Sequence, residues 1–371
     1  MHGLQHVRCV AMVAALALAH AAFAQPGTGG TEPVVGLIQP NAIAWQPMDG
    51  NVYTVDPERG VVSVVNDAGG ITAAIKIGSG VGAGPVSIAA DTVRNRIYVA
   101  NAGDGTVSVI DGKKGAVVAT VPVGAHPYSI AVNSTTGQVY VSHTFSDVLT
   151  VLDGSSDAGI DPASRDQASK VKAGGVDLIA IDEKAARVYL LGYEGGDLKV
   201  LDGGNKQLAS ASPGMHAWGM ALNPATGLIY IGRTGSAEVA VFDGGGQLVG
   251  RIPVGRIPSA VAVNAKTDTV YVANYDDGTV SVIDGRRGVV VATVPVGVRP
   301  EGMAVDEARD LVAVANTQSG TVTLIDGKTR KGLRTIPAGR HPYAVAFNPV
   351  SGKLHVANVD VQAFTVVEPL R

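Results

Sequence analysis

From about residue 34 onward, short apolar runs alternate with polar turns, and the runs recur in a fixed order. A proline-centred apolar run is followed by a run resembling V-Y-V-A-N and then by one resembling V-S-V-I-D-G. Two clear copies read PYSIAVNSTTGQVYVSHTFSDVLTVLDG from Pro127 and PSAVAVNAKTDTVYVANYDDGTVSVIDG from Pro258. Counted from the proline position, units start at Pro40, Pro85, Pro127, Val176, Ala217, Pro258, Pro300 and Pro342, with spacings of 45, 42, 49, 41, 41, 42 and 42 residues. Short half-buried strands repeating at this period predict the blades of a β-propeller, a ring in which each unit is one small antiparallel sheet.

Within the third unit the pattern predicts strands over Tyr128–Val132, Gln138–Ser142 and Val148–Leu152, plus a shorter outer run. Between the first two lies Asn133-Ser134-Thr135-Thr136-Gly137, a polar turn whose glycine suits a positive φ. Asp-Gly pairs close the third run at Asp111-Gly112, Asp153-Gly154, Asp202-Gly203, Asp243-Gly244, Asp284-Gly285 and Asp326-Gly327. Their expected role is tight-turn chemistry between antiparallel strands.

The last unit stops after its third run, Phe364–Val367, whereas Val34–Ile38 precedes the first unit with no blade of its own. Pairing the two would supply the missing outer strand and leave no free sheet edge. The expected fold is therefore all-β, a propeller of eight four-stranded blades closed by an N-terminal strand. Seven blades are the alternative, because the first and fourth units are the most degenerate.

Composition changes this picture little. Glycine is abundant, with 48 residues, as many tight turns require, and aromatics make up only 5%. The beginning of the chain reads as targeting: an apolar run from Val10 to Ala22 and then Ala22-Phe23-Ala24 before Gln25, as in a secretory signal peptide. The expected organisation is a signal peptide over residues 1–24, a Gly-rich linker over 25–33 and one propeller domain over 34–371. The single cysteine, Cys9, falls within the signal, so the mature chain would have none and would rely on its core. Without Arg8 the balance is 28 Lys+Arg against 32 Asp+Glu. That mild acidity argues against a nucleic-acid surface, which needs clustered basic excess. Nothing after the signal is long and apolar enough to span a membrane as a helix. A monomeric, periplasmic or secreted protein is expected.

Candidate chemistry lies where the copies differ. The residue before the proline position reads Gln39, Gly84, His126, Gly175, His216, Ile257, Arg299 and His341; turn geometry is not expected to account for three histidines and an arginine there, since glycine and isoleucine serve at the same place. The residue after the proline position is aromatic in the three histidine-bearing units: Tyr128, Trp218 and Tyr343. The ends of the second runs add His143 and Arg233, with Asp56, Asn101, Asn274, Asn316 and Asn358 at matching places, and Glu301 follows Pro300. In a propeller both positions lie on one face, around the channel mouth. Three readings stay open. The imidazoles could cap backbone carbonyls while the rings pack between blades. The mouth could bind a small polar ligand, or a peptide or protein partner. His126, His216 and His341 could hold a transition metal, since neutral imidazoles ligate zinc, copper or iron.

Other features carry less. His355 replaces a tyrosine found at Tyr98, Tyr140, Tyr230 and Tyr271, and reads as a core-edge substitution. The insertion Ser155–Lys170 holds Asp157, Asp161 and Asp166 but lacks the EF-hand spacing, and reads as a solvated loop. No G-x-S-x-G, C-x-x-C, H-E-x-x-H or phosphate-loop motif is present in the sequence.

The P-x-x-[IV]-A-[VI]-[ND], V-Y-V-A-N and V-S-V-I-D-G runs together resemble the YVTN family of β-propeller repeats, over roughly Val34 to Glu368. The resemblance is nearest to the YncE-like exported propeller proteins of bacteria and implies a periplasmic or secreted location. The wider group includes surface proteins, subunits of electron-transfer enzymes, lyases and lactonases, and the motif carries no catalytic residue to transfer. The expected function is an exported scaffold binding a ligand or partner at the channel mouth. The alternative is a metal-assisted lyase or lactonase, or a redox-associated enzyme, using the histidine-bearing mouth; carriage or assembly of a redox cofactor is a third reading, from fold analogy alone.

Overall fold

The computed structural model describes residues 42–368, apart from residues 58, 158, 159, 161–167, 194–196, 215 and 359–364. The chain divides into Met1–Ile38 and Gln39–Arg371. The signal segment, the linker, the strand expected over Val34–Ile38, Gln39 and Pro40, Phe364, Asp161 and Asp166 all lie outside the described residues.

Eight antiparallel sheets follow one another along the chain, so the fold is all-β and the ring has eight blades. Seven sheets have four strands in simple sequence order; the eighth shows three among the described residues, Pro342–Phe347, Leu354–Asn358 and Thr365–Val367. Each blade's first strand is the innermost. In blades 1 to 8 these are Ile43–Gln46, Pro85–Asp91, Pro127–Val132, Leu178–Asp182, Ala217–Asn223, Pro258–Asn264, Pro300–Asp306 and Pro342–Phe347, and consecutive ones lie side by side around the channel.

Burial follows from that arrangement. Second strands such as Arg96–Asn101 and Thr269–Asn274 are sandwiched between neighbouring blades and are buried along nearly their whole length. Innermost strands are mostly half-buried, because one side faces the channel. The second strand carries a tyrosine in six blades, Tyr53, Tyr98, Tyr140, Tyr189, Tyr230 and Tyr271, each almost wholly buried. Alanine, Ala313, holds the place in blade 7 and His355, with no exposed surface, in blade 8. Burial lowers the His355 imidazole to about 4, so it is neutral near pH 7.

The tyrosine row also bears on three of the Asp-Gly pairs, at Gly154, Gly244 and Gly327, in a way the repeat did not suggest. None of the six Asp-Gly glycines has a positive φ; in the same turns the left-handed conformation falls on Gly115, Asn205, Gly246, Gly288 and Arg330. At those three the glycine allows close approach. A Cβ at Gly327 would lie 2.7 Å from the Tyr271 hydroxyl of the preceding blade, and one at Gly154 would overlap the Tyr98 hydroxyl. Gly137, by contrast, has φ +82° as its turn predicts.

Blade 8 meets blade 1 through side chains. Asn348 Nδ2 and Ser351 Oγ donate to Asp67 Oδ1 at 2.7 and 2.6 Å, Lys353 lies 3.9 Å from the same carboxylate, and Tyr343 and Ala344 pack against the core of blades 1 and 2. Gly69 passes so close to Val366 that a Cβ would sit 2.8 Å from its Cγ2. These contacts close the ring among the described residues. The N-terminal strand expected to complete blade 8 lies outside them.

Candidate functional site: the channel mouth

The mouth is built by two loops per blade, one entering the innermost strand and one leaving the second. The entering residue has a left-handed backbone in six blades: Gly84, His126, His216, Ile257, Arg299 and His341, with φ between 50° and 59°. Its carbonyl accepts the N–H of the residue just past the second strand in five of them, as in Thr144 N to His126 O at 2.9 Å and Thr317 N to Arg299 O at 2.9 Å. Backbone geometry therefore does bear on this position, contrary to the sequence expectation. Glycine and histidine are among the residues that tolerate φ > 0, whereas Ile257 is held there by the turn.

The next residue but one lies at a β-bulge. Pairing with the second strand shifts register at the top of the innermost strand in blades 2, 3, 5, 6, 7 and 8. The bulge brings in Val86, Tyr128, Trp218, Ser259, Glu301 and Tyr343. Bulges bend the strand and re-aim a side chain, and are common beside binding sites. Blade 4 differs: its innermost strand begins only at Leu178, and Asp177 occupies the equivalent place.

Two clusters result. On blades 3 to 5, Asp177 accepts the Tyr193 N–H on Oδ2 at 2.6 Å. The Tyr193 ring meets Trp218 edge-on, with centroids 5.9 Å apart, and tilts against His216 at 5.4 Å. Burial, with the Asp177 charge adding, holds the Tyr128 hydroxyl well above the usual phenol range. On blades 6 and 7, the Arg299 guanidinium lies over the Tyr275 ring at 5.4 Å. Burial pushes the Glu301 carboxyl up to about 7, against the opposing influences of the Thr317 hydroxyl and of Arg299. Thr317 also donates to Pro342 O at 2.9 Å, tying this side to blade 8. There Tyr343 is half-buried, its hydroxyl raised by burial and by the nearby Asp56 charge.

The remaining expected residues separate. His126 and His216 are exposed and His341 is half-buried. Among the described residues no three histidine, cysteine, aspartate or glutamate side chains group to hold a metal ion, so the expected three-histidine centre is not assembled. They stand on blades 3, 5 and 8, spread around the rim. His143 is a wall residue: only 5% exposed, with Nδ1 on Ala125 O at 3.0 Å and Nε2 on Thr150 Oγ1 at 2.8 Å. It substitutes for the asparagine that in blade 6 bonds Thr279 and Ser281, and burial keeps its imidazole below the usual range. Arg233, at the same place in blade 5, is ion-paired with Glu238. Asp157, in the blade 3 insertion, is ion-paired with Arg96 of blade 2.

Asp177, Tyr193, Tyr275 and Thr317 were not singled out from the sequence. A repeat-aligned reading could have found Asp177, since it stands where other units carry Tyr128, Trp218 and Glu301. Tyr193 could have been found the same way, since it stands four residues past the second-strand tyrosine, where other units carry Ala102, Thr144, Thr234, Tyr275 and Thr317.

No family model matches this chain, and no curated protein sequence does. Among solved structures it is similar to a chain of the hydrazine synthase of Kuenenia stuttgartiensis, with a TM-score of 0.59 and 18% identity, covering 77% of this chain and 96% of that one. At that identity the likeness speaks to the fold alone, a β-propeller.

Proposed function

We propose that this protein is an exported scaffold of the YVTN-repeat, YncE-like kind that binds a small ligand or a protein partner at the channel mouth. The observation that carries the reading is the contrast within each innermost strand. Its lower end repeats from blade to blade, while the position at its upper end holds Val86, Tyr128, Trp218, Ser259, Glu301 and Tyr343 at bulges, and Asp177 just ahead of the unbulged strand of blade 4. A scaffold needs no such variety, and recognition does. On this reading residues 1–24 are removed on export, 25–33 form a linker, and the mature protein is periplasmic or secreted. No helix among the described residues is long and apolar enough to cross a membrane.

A second reading is favoured by Glu301 alone. A carboxyl near 7 beside a guanidinium and a hydroxyl is suited to general acid–base work, which would make the mouth an active site.

The test is a thermal-shift screen of the mature protein against small polar ligands and peptides, repeated with His126, His216 and His341 all changed to alanine. A ligand-dependent shift lost in the variant, with its unliganded midpoint unchanged, is the expected result. A lower midpoint with no ligand response in either protein would leave the histidines a purely structural role. Mass analysis of exported protein should give a chain beginning at Gln25.

A further inference from the structure

On the side of the mouth formed by blades 3 to 5, we propose a subsite for an organic ammonium group, built by Asp177 with Tyr128, Tyr193 and Trp218. The inference rests on the ligand-binding reading of the mouth and names the ligand chemistry that this side would take.

The site exists because blade 4 departs from the repeat. Val176 replaces the proline, and the innermost strand starts at Leu178, so Asp177 is outside the ladder with its N–H on Leu191 O at 2.8 Å. From there its carboxylate anchors the Tyr193 backbone at 2.6 Å and holds that residue at the mouth. Tyr193 in turn stands edge-on to Trp218. Tyr128 arrives from blade 3 on its own bulge, within the field of the Asp177 charge. Three aromatic side chains and one carboxylate are thereby gathered from three separate blades.

That combination selects the sign and softness of a ligand. Aromatic faces carry negative electrostatic potential and attract cations, most strongly weakly hydrated ones such as alkylammonium groups. A carboxylate beside them adds attraction and repels an anion. A hard metal ion needs several oxygen or nitrogen ligands, and no such group is present among the described residues. The opposite side of the mouth shows the same pairing made internally: Arg299 covers Tyr275, with Glu301 next to the proline that follows it. Among the cations of blades 3 to 5, Arg233 is paired with Glu238, Lys172 lies 3.8 Å from Asp147, and the Lys199 ammonium bonds the Ala173 carbonyl.

The probes are choline, its uncharged isostere 3,3-dimethylbutan-1-ol, and acetate, titrated into the mature protein. The chain has 2 tryptophans, so a Trp45→Phe background leaves Trp218 as the fluorescent reporter. Saturable quenching by choline is expected, at least tenfold weaker with the isostere and at least tenfold weaker in Asp177→Asn, which keeps an acceptor for the Tyr193 N–H but removes the charge. Should Asp177→Asn fail to fold, Tyr193→Leu provides the same comparison. Equal binding of choline and isostere, or unchanged choline binding in the variants, would overturn the proposal. Acetate bound through the rim histidines, with choline ignored, would overturn it while leaving the mouth a binding site. No response to any probe, together with an empty ligand screen, would remove both readings.

Discussion

The two ends of the innermost strands obey different rules. At the lower end every described blade carries a buried amide or carboxylate: Gln46, Asp91, Asn133, Asp182, Asn223, Asn264, Asp306 and Asn348. Each accepts turn N–H groups, as Asp91 Oδ1 does from Val93 and Arg94 at 3.0 Å and Asn264 Oδ1 from Lys266 at 3.1 Å. Several also reach the next blade, Asn223 to Asp268 at 2.7 Å and Asn264 to Asp310 at 2.6 Å. Buried turn donors must be satisfied, so one chemistry recurs. At the upper end a bulge interrupts the ladder in six blades, no one side-chain bond is common to them, and the residues diverge. The same strand thus holds the ring together at one end and is free to specialise at the other.

The hardest way to break this contrast is at the lower end. Changing Asn264 to leucine removes an acceptor for the Lys266 and Thr267 N–H groups and leaves Asp310 without that donor. A loss of about 2–4 kcal/mol is expected, because buried polar groups lose their partners. Chemical denaturation measures it, and a loss below about 1 kcal/mol would mean that the repetition is not structural.

The closure between blades 8 and 1 sharpens the comparison. There the lower-end Asn348 reaches Asp67, in the turn between the third and fourth strands of blade 1, whereas Asn223 and Asn264 reach the turn after the next blade's first strand. Asp67→Ala should cost about 1–2 kcal/mol and expose the closure first. Hydrogen exchange should accelerate in Leu354–Asn358 before the strands of blades 5 and 6. Uniform acceleration would show that closure is no weaker than any other blade contact.

The smallest effect is expected at the upper end, and it is one of sign. Glu301 is raised from 4.5 to about 7, so the folded state holds its proton more tightly than the unfolded chain does. Its contribution is fully present below about 4.5 and is lost as pH rises through 7. Glu301→Gln should therefore flatten the fall in stability between pH 5 and 8, by about 1 kcal/mol given that water reaches the mouth. An unchanged slope would place the Glu301 carboxyl in ordinary solvent. His355 acts in the opposite direction. Lowered to about 4, it favours folding above its ordinary value of 6.5 and withdraws that support as pH falls toward 4.

Much of the scaffold was legible in the chain. Unit spacing predicted eight blades, and the strands expected in blade 3 agree with Pro127–Val132, Gln138–His143 and Val148–Asp153 to within a residue at each end. The candidate site was legible only in part. Tyr128, Trp218, Tyr343 and Glu301 were found because they break a repeat, and all four stand at bulges. His143 broke the repeat too, yet it makes the wall bond that an asparagine makes elsewhere. The rim histidines were credited with freedom from turn geometry because a backbone dihedral leaves no mark in a residue alignment.

Taken alone, the sequence determined the number of blades, the order of strands and the ring positions at which variation is tolerated. These follow from local periodicity, which acts over a few residues and repeats. Which varied residues meet was decided only by the closed ring. Asp177, Tyr193 and Trp218 come together across blades 4 and 5 because blade 4 starts its innermost strand late, and the Asp-Gly turns at Gly154, Gly244 and Gly327 have a tyrosine hydroxyl of the preceding blade lying against the glycine. Such contacts join side chains tens of residues apart, and only packing one sheet against the next brings them within reach.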